Sequence, residues 1–329
     1  MHIITDIQQA LDDDLQKIHT AMLNSYNLKE ELIKSIGEHI INSGGKKIRS
    51  ILHILTSKMF NYEGSDHILI AAAIESMHIA TLLHDDVIDE GTVRRFLPSA
   101  NIIWGNNASI LVGDFLLSQS FNFLVSTKSI KILSLLAETS SIIIRGEVQQ
   151  LAKLQLKEML DKDDYYKIIQ SKTAQLFSAA CETGSIITKQ SEKHHDIMKT
   201  YGLLLGMIFQ ITDDILDYCG ESSDIGKNIG QDFKEGKITL PIITLYQIAK
   251  PNDKKTLLEI MLEGNKSEVD LRWVQEKLYT LKIKETIHNK LTLMKNQAKS
   301  GINKLNINDD NIYKQYLLQI VDYITDRIY

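Results

Sequence analysis

Two short stretches concentrate carboxylates among apolar neighbours. Residues 82–91 read LLHDDVIDEG, with Asp85, Asp86 and Asp89, and residues 209–220 read FQITDDILDYCG, with Asp213, Asp214 and Asp217. On a helix the first and third aspartates of DDxxD share nearly one face and the second sits about 100° round, so all three can reach one cleft. Carboxylates this close repel one another and take up protons unless cations compensate. The pattern fits a hard cation, and Mg²⁺ suits it because carboxylates, substrate phosphates and water together hold that ion. One acidic cluster near a helix end reads equally well as a cap or a solvated face. Two, each embedded in an apolar run, point to a pair of metal sites that could clamp a polyphosphate. Neither stretch has the loop spacing of an EF-hand.

A metal-bound diphosphate also needs fixed positive charge. The chain offers Lys46, Lys47 and Arg49 in GGKKIRS, Arg94 and Arg95 in TVRRF, Lys172 in SKTAQLF, Lys227 in GKNIG and Lys237 in GKITLP. Arginine brings forked donors that match phosphate oxygens, and lysine brings a point charge. A P-loop is excluded, because the pattern GxxxxGK ahead of Lys46 would need glycine where Ile40 stands, and GESSDIGKN has one residue too many between its glycines. His84 beside Asp85 reads as a packing or supporting histidine rather than a base. His194 and His195 read as surface residues, with no zinc-ligand spacing around them.

The elements that must hold these groups are helices. Only 3 prolines occur in 329 residues, and no Gly/Ser-rich or Pro-rich linker divides the chain. Apolar residues recur at three and four positions through 68–83, 102–124, 201–216 and 316–328, which predicts helices there. Two-residue alternation with hairpin turns is missing. The expectation is one all-α domain over residues 1–329, a bundle of ten or so helices, with a more polar helical region at 250–300. With 43% hydrophobic residues the chain can bury a core. Its 37 basic and 42 acidic residues give a net charge of −5, which excludes a general nucleic-acid binder. Two cysteines without CxxC spacing exclude a disulfide framework and a zinc ribbon, and fit a reducing cytoplasm. No signal peptide and no run of about 20 apolar residues stands out, so peripheral membrane contact is the most expected of it.

The ordered set GGKKIR, LLHDDVIDEGTVRR, KTAQLF, FQITDDILDY and GKITLP resembles the trans-isoprenyl diphosphate synthases, in particular the long-chain, octaprenyl-type polyprenyl diphosphate synthases. The resemblance covers nearly the whole chain. It implies an all-helical bundle around a deep cavity, a homodimer, and Mg²⁺-dependent condensation of isopentenyl diphosphate with an allylic diphosphate such as farnesyl diphosphate. By that resemblance Asp85, Asp86, Asp89, Asp213, Asp214 and Asp217 would hold two to three Mg²⁺ ions. Lys46, Arg49, His78 and Arg95 would bind isopentenyl diphosphate. Arg94, Lys172, Lys227 and Lys237 would face the allylic diphosphate, and Thr173 and Gln210 would line the reacting centre. No protein base is implied; the released diphosphate takes the proton.

Three positions depart from the family pattern: Ser50 where proline is common, Phe96 where glycine is common, and Lys47 where arginine is common. None removes the expected charges. Product length is read from the helix before Asp85, where each residue adds about 1.5 Å of depth. Ala80 and Thr81 are small where shorter-chain members carry an aromatic floor, so a deep tunnel is expected, limited further down by Met77 and Ile74 and by the helix at 115–123. The product expected is a long chain, octaprenyl first, for quinone side chains. The competing account of Ala80 and Thr81 is that they permit close helix packing. The competing functions are a geranylgeranyl or farnesyl diphosphate synthase, a terpene cyclase or head-to-head synthase, and a non-catalytic partner subunit of a heteromeric synthase.

Overall fold

In the computed structural model the described residues are 2–26, 29–95, 97–156, 158–219, 230–263 and 266–327. Their order is α1 (His2–Ala10), α2 (Asp12–Ser25), α3 (Glu31–Asn42), α4 (Ile48–Met59), α5 (Asp66–Ile88), β1 (Val93–Arg94), β2 (Leu97–Pro98), α6 (Ala100–Trp104), α7 (Asn106–Ser126) and α8 (Ile130–Gln155). Then come α9 (Lys162–Ile169), a π-helical turn (Gln170–Ala174), α10 (Gln175–Ile187), α11 (Glu192–Cys219) and α12 (Gln231–Lys234). The chain continues through α13 (Leu240–Ile248), α14 (Pro251–Leu258), a second π-helical turn (Glu259–Glu263), α15 (Glu268–Thr280), α16 (Ile283–Asn303) and α17 (Ile312–Asp326). The fold is all-α, as the periodicity implies.

The chain divides into two compact units. The first comprises Met1–Ser141, Leu176–Gly202 and Gly301–Ile320. Its centre is α5, which is apolar on most faces and therefore suited to burial on all sides. Ile70 through Ile74 have no exposed surface at all. Each fully buried isoleucine stabilises the fold by about 2 kcal/mol. α7, α4 and α2 pack around α5. The apolar run at 102–124 is broken at Gly105, whose φ of +86° ends α6 and starts α7, so the single helix expected there is two. A second departure is the two-residue antiparallel hairpin β1–β2, with Val93 opposite Pro98 and Arg94 opposite Leu97. It is too short to show as alternation in the sequence.

The second unit comprises Ile142–Gln175, Leu203–Ser300 and Val321–Tyr329. Its apolar centre is α13, where Leu240 to Leu245 are buried and Pro241 sits in the first turn, where no helical N–H is lost. Pro251 likewise opens α14. A capping box between Ser267 and Asp270 starts α15. The polar stretch 250–300 is helical on these signals.

By length and composition α5 and α7 are each apolar enough to cross a membrane, which corrects the expectation that no such apolar run occurs. α5 buries 67% of its apolar window inside the protein and α7 39%.

Candidate active site

In the first unit Asp85 and Asp86 stand in the last turn of α5 and Asp89 is its C-cap. Carboxylates there oppose the helix dipole, whose C-terminal end is already negative, so the sequence places acid where only a cation makes it stable. For Asp86 that cation is Arg94. Its Nε donates to Oδ1 and Oδ2 at 2.9 Å and its Nη2 to Oδ1 at 2.6 Å. Asp86 is buried, whereas Asp85 and Asp89 are half-buried. The middle aspartate, a third of a turn round from its neighbours, is thus the one turned into the protein.

The hairpin exists at the paired arginines. Arg95 follows β1 with φ +51°, a left-handed value that a side-chain-bearing residue seldom adopts. Its guanidinium lies against Gly45, where an added Cβ would come within 2.6 Å of Nη2. Gly45 has φ +130°, a backbone conformation that favours glycine, and a side chain there would have to push the Arg95 guanidinium aside. That contact joins the GGKKIR block to the paired arginines, two blocks separate in sequence. Lys46 is exposed in this loop, and Lys47, at φ +47°, precedes α4.

On α4, Arg49 Nη1 lies 3.1 Å from His78 Nε2, and its guanidinium carbon stands 4.6 Å over the Phe177 ring. Arginine cannot accept a hydrogen bond, so His78 accepts through Nε2 and carries its proton on Nδ1. Burial, then the charges of Arg49, Arg95 and Arg94, hold the His78 pKa well below its usual value. His78 is therefore a neutral ring among arginines. Ser50, the departure from proline, is buried and donates to Glu75 Oε2 at 2.8 Å, a bond proline could not make.

The four length candidates lie on α5. Ile74, Met77 and Ala80 are buried, and Thr81 is half-buried with its hydroxyl donating to the His78 carbonyl at 2.8 Å. His84 reaches the Ile110 carbonyl of α7 at 3.2 Å. The expectation that His194 and His195 lie at the surface is corrected. His195 is 4% exposed with Nδ1 2.8 Å from Ser185 Oγ, and half-buried His194 stacks on Phe60. Their polar spacing disguised two packed rings.

In the second unit Asp213, Asp214 and Asp217 stand in the last two turns of α11, again at the negative end of a helix. Asp213 Oδ1 accepts from Arg327 Nη1 at 2.9 Å. Asp217 accepts the backbone N–H groups of Gln231 at 3.1 Å and Asp232 at 3.0 Å, and so serves the N-terminus of α12. Asp214 is almost fully buried and takes two side-chain donors, Tyr165 Oη on Oδ2 at 2.6 Å and Gln210 Nε2 on Oδ1 at 2.8 Å. Burial raises its pKa to about 6 despite those two bonds.

The π-helical turn carries Lys172 and Thr173. Such turns displace side chains from helical register and recur at functional sites. Gly146 of α8 allows the close approach, since a Cβ there would meet Ser171 Cβ at 2.8 Å. The neighbouring Glu147 takes Lys172 Nζ at 2.8 Å. Thr173 Oγ1 donates to Gln210 Oε1 at 2.8 Å, and Lys237 Nζ pairs with Glu235 at 2.8 Å. A cavity of about 390 Å³ within this unit is lined by Lys172, Thr173, Gln210, Asp214, Lys237 and Tyr165, with Leu154, Ile169 and Met261 among its apolar walls.

The first unit thus brings together Asp86, Arg94, Arg95, Arg49 and His78, and the second Asp214, Gln210, Thr173, Lys172 and Lys237. Lys227 and Phe96 lie outside the described residues. Tyr165, Glu147, Glu75 and Arg327 escaped the sequence reading. Arg327 alone had a visible signal, a lone cation near the chain's end. Among the described residues no three His, Cys, Asp or Glu side chains converge to hold an ion by themselves. That suits an ion held by one or two carboxylates and completed by phosphate oxygens.

The family described as Polyprenyl synthetase matches residues 30–278. An octaprenyl diphosphate synthase of Haemophilus influenzae is 34% identical over 326 residues, 99% of this chain and 98% of that one. The Escherichia coli octaprenyl diphosphate synthase is 37% identical over 79% of this chain and 80% of its own length. Among solved structures, a decaprenyl diphosphate synthase from Rhodobacter capsulatus superposes with a TM-score of 0.92 at 34% identity, covering 99% of both chains. A polyprenyl synthase from Caulobacter crescentus, complexed with calcium and isoprenyl diphosphate, gives 0.93 at 30% identity over 99% of this chain and 98% of its own.

Proposed function

The chain belongs to the polyprenyl synthetase family and is a prenyltransferase, and we propose that it lengthens farnesyl diphosphate with isopentenyl diphosphate to an all-trans octaprenyl diphosphate. The observation that carries this reading is that each of two acidic helix ends has its own cations within its own unit, Arg94 beside Asp86 and Arg327 beside Asp213. The product length is supported by the two octaprenyl diphosphate synthases at 34% and 37% identity. Residues 1–329 are proposed to act as one synthase domain in the cytoplasm, with at most peripheral membrane contact, supplying a quinone side chain.

Mg²⁺ is the ion proposed, in two to three copies; the Caulobacter crescentus relative holds calcium with isoprenyl diphosphate. The hard oxygen donors of Asp85, Asp89, Asp213 and Asp214 fit it, with Asp86 and Asp217 supporting their motifs. Bound there, Mg²⁺ supplies charge that offsets the developing negative charge on the departing diphosphate. Lys172, Lys237, Arg94 and Lys227 add fixed positive charge to the same leaving group. Lys46, Arg49, Arg95 and neutral His78 hold the diphosphate of isopentenyl diphosphate. Thr173 and Gln210 orient the allylic carbon. The allylic C–O bond breaks, the double bond of isopentenyl diphosphate forms the new C–C bond, and the proton lost passes to the released diphosphate.

A homodimer is part of the proposal. The first unit exposes Ile102, Ile103, Ile110, Leu111 and Val125 on α6 and α7, apolar side chains that a second copy would cover.

The test is incorporation of labelled isopentenyl diphosphate by the purified chain with farnesyl diphosphate, with and without Mg²⁺, for wild type and Asp214→Asn. The reading expects Mg²⁺-dependent incorporation that Asp214→Asn lowers by about 10² or more, the range for losing one charge-stabilising group. Absence of metal-dependent incorporation would favour a non-catalytic partner subunit.

A further inference from the structure

Tyr165 belongs to none of the motif blocks, yet its hydroxyl reaches the most buried carboxylate of the second acidic motif. The residue is 3% exposed on α9 and donates to Asp214 Oδ2 at 2.6 Å. Asp214 Oδ1 is taken by Gln210 Nε2 at 2.8 Å, and Gln210 Oε1 by the Thr173 hydroxyl at 2.8 Å. The last bond fixes which way the amide points, because Thr173 donates to oxygen and leaves nitrogen for Asp214. Each carboxylate oxygen therefore carries one protein donor, and the carboxylate plane cannot turn without breaking one of them. α9 is itself held, with Tyr166 packed edge-on to Tyr165 at 5.4 Å and its ring covered by Lys290 Nζ at 4.0 Å.

We propose that Tyr165 is a positioning residue that fixes the rotamer of Asp214 so that its remaining lone pairs meet a metal ion bound with the allylic diphosphate. The inference rests on the reading of Asp214 as a metal ligand. Groups that orient a ligand in this way are worth 10–100-fold in metal affinity. A tyrosine filling space would depend on its ring, whereas a positioning tyrosine depends on its hydroxyl and acts only through Asp214.

The experiment is a titration of Mn²⁺, followed by electron paramagnetic resonance, into full-length protein with a thio analogue of farnesyl diphosphate. It compares wild type, Tyr165→Phe, Asp214→Asn and the double variant, with circular dichroism checking that each folds. Phenylalanine keeps the ring and its volume. Tyr165→Phe is expected to bind Mn²⁺ roughly tenfold or more weakly, with an unchanged KM for isopentenyl diphosphate, and to add no further loss in the Asp214→Asn background. Wild-type Mn²⁺ affinity in Tyr165→Phe, or an equal loss with and without Asp214, overturns the positioning role while leaving the function intact. An Asp214→Asn protein that binds Mn²⁺ as wild type does would instead remove the ligand reading, and this inference with it.

Discussion

At the scale of single residues, the two acidic motifs divide their labour unevenly. Asp86 and Asp214, the middle aspartates, are buried and held by side-chain donors, and Asp214 carries a raised pKa because burial disfavours its charge. A folded value near 6 against an unfolded value of 3.8 means that the folded state holds the proton more tightly. Metal-free protein then loses stability from this group as pH rises between those values. Asp214→Asn cannot ionise, so the stability of wild type relative to this variant should fall between pH 4 and pH 7, by at most about 3 kcal/mol at 1.36 kcal/mol per unit, as denaturation of the two proteins across that range would show. Mg²⁺ with diphosphate should reverse that fall. A pH-independent difference would contradict the buried, titrating carboxylate. Asp217 makes a different prediction, because its oxygens cap α12. Asp217→Asn keeps one of the two acceptor oxygens and loses the other, so it should cost about 1 kcal/mol of stability and lower turnover less than Asp213→Asn does, as denaturation and steady-state rates would show.

At the scale of elements, both motifs lie at helix C-termini; a short hairpin brings Arg94 to the first, and a π-helical turn places Lys172 on the cavity that Asp214 of the second also lines. The aspartates and the helices carrying them were legible from a run of apolar residues ending in DDxxD. The hairpin was not, since two residues per strand leave no alternation to read, and the π-helical turn was not, since its five residues carry no compositional mark. Tyr165 and Glu147 were hidden for a related reason: each acts through a contact across the fold, with Asp214 and Lys172, that local spacing does not encode. Gly45 was visible as part of a glycine pair, but its purpose appears only beside Arg95. Gly45→Ala combines a disallowed φ with a clash against that guanidinium, so it should raise the KM for isopentenyl diphosphate about tenfold or more, as expected when a charge-assisted bond of 1.5–3 kcal/mol is lost, with little change in the KM for farnesyl diphosphate. Equal effects on both substrates would detach Arg95 from the isopentenyl site.

At the scale of the whole molecule, the account joins a dimer to a long product. The exposed apolar side chains of α6 and α7 lead to the expectation that the purified protein runs as a dimer in light scattering coupled to size exclusion, and that Leu111→Asp, at a residue 67% exposed, shifts it toward monomer. A wild-type monomer would overturn the proposed dimer. Product length is proposed to depend on α5, where Ala80 offers no ring to stop a growing chain, and on that proposal Ala80→Phe should shorten the product. The most direct measurement is the size of the dephosphorylated product that the wild-type enzyme makes from farnesyl diphosphate, isopentenyl diphosphate and Mg²⁺. The account predicts a ladder of intermediates ending at the octaprenyl chain, and a product that stops at geranylgeranyl would contradict it.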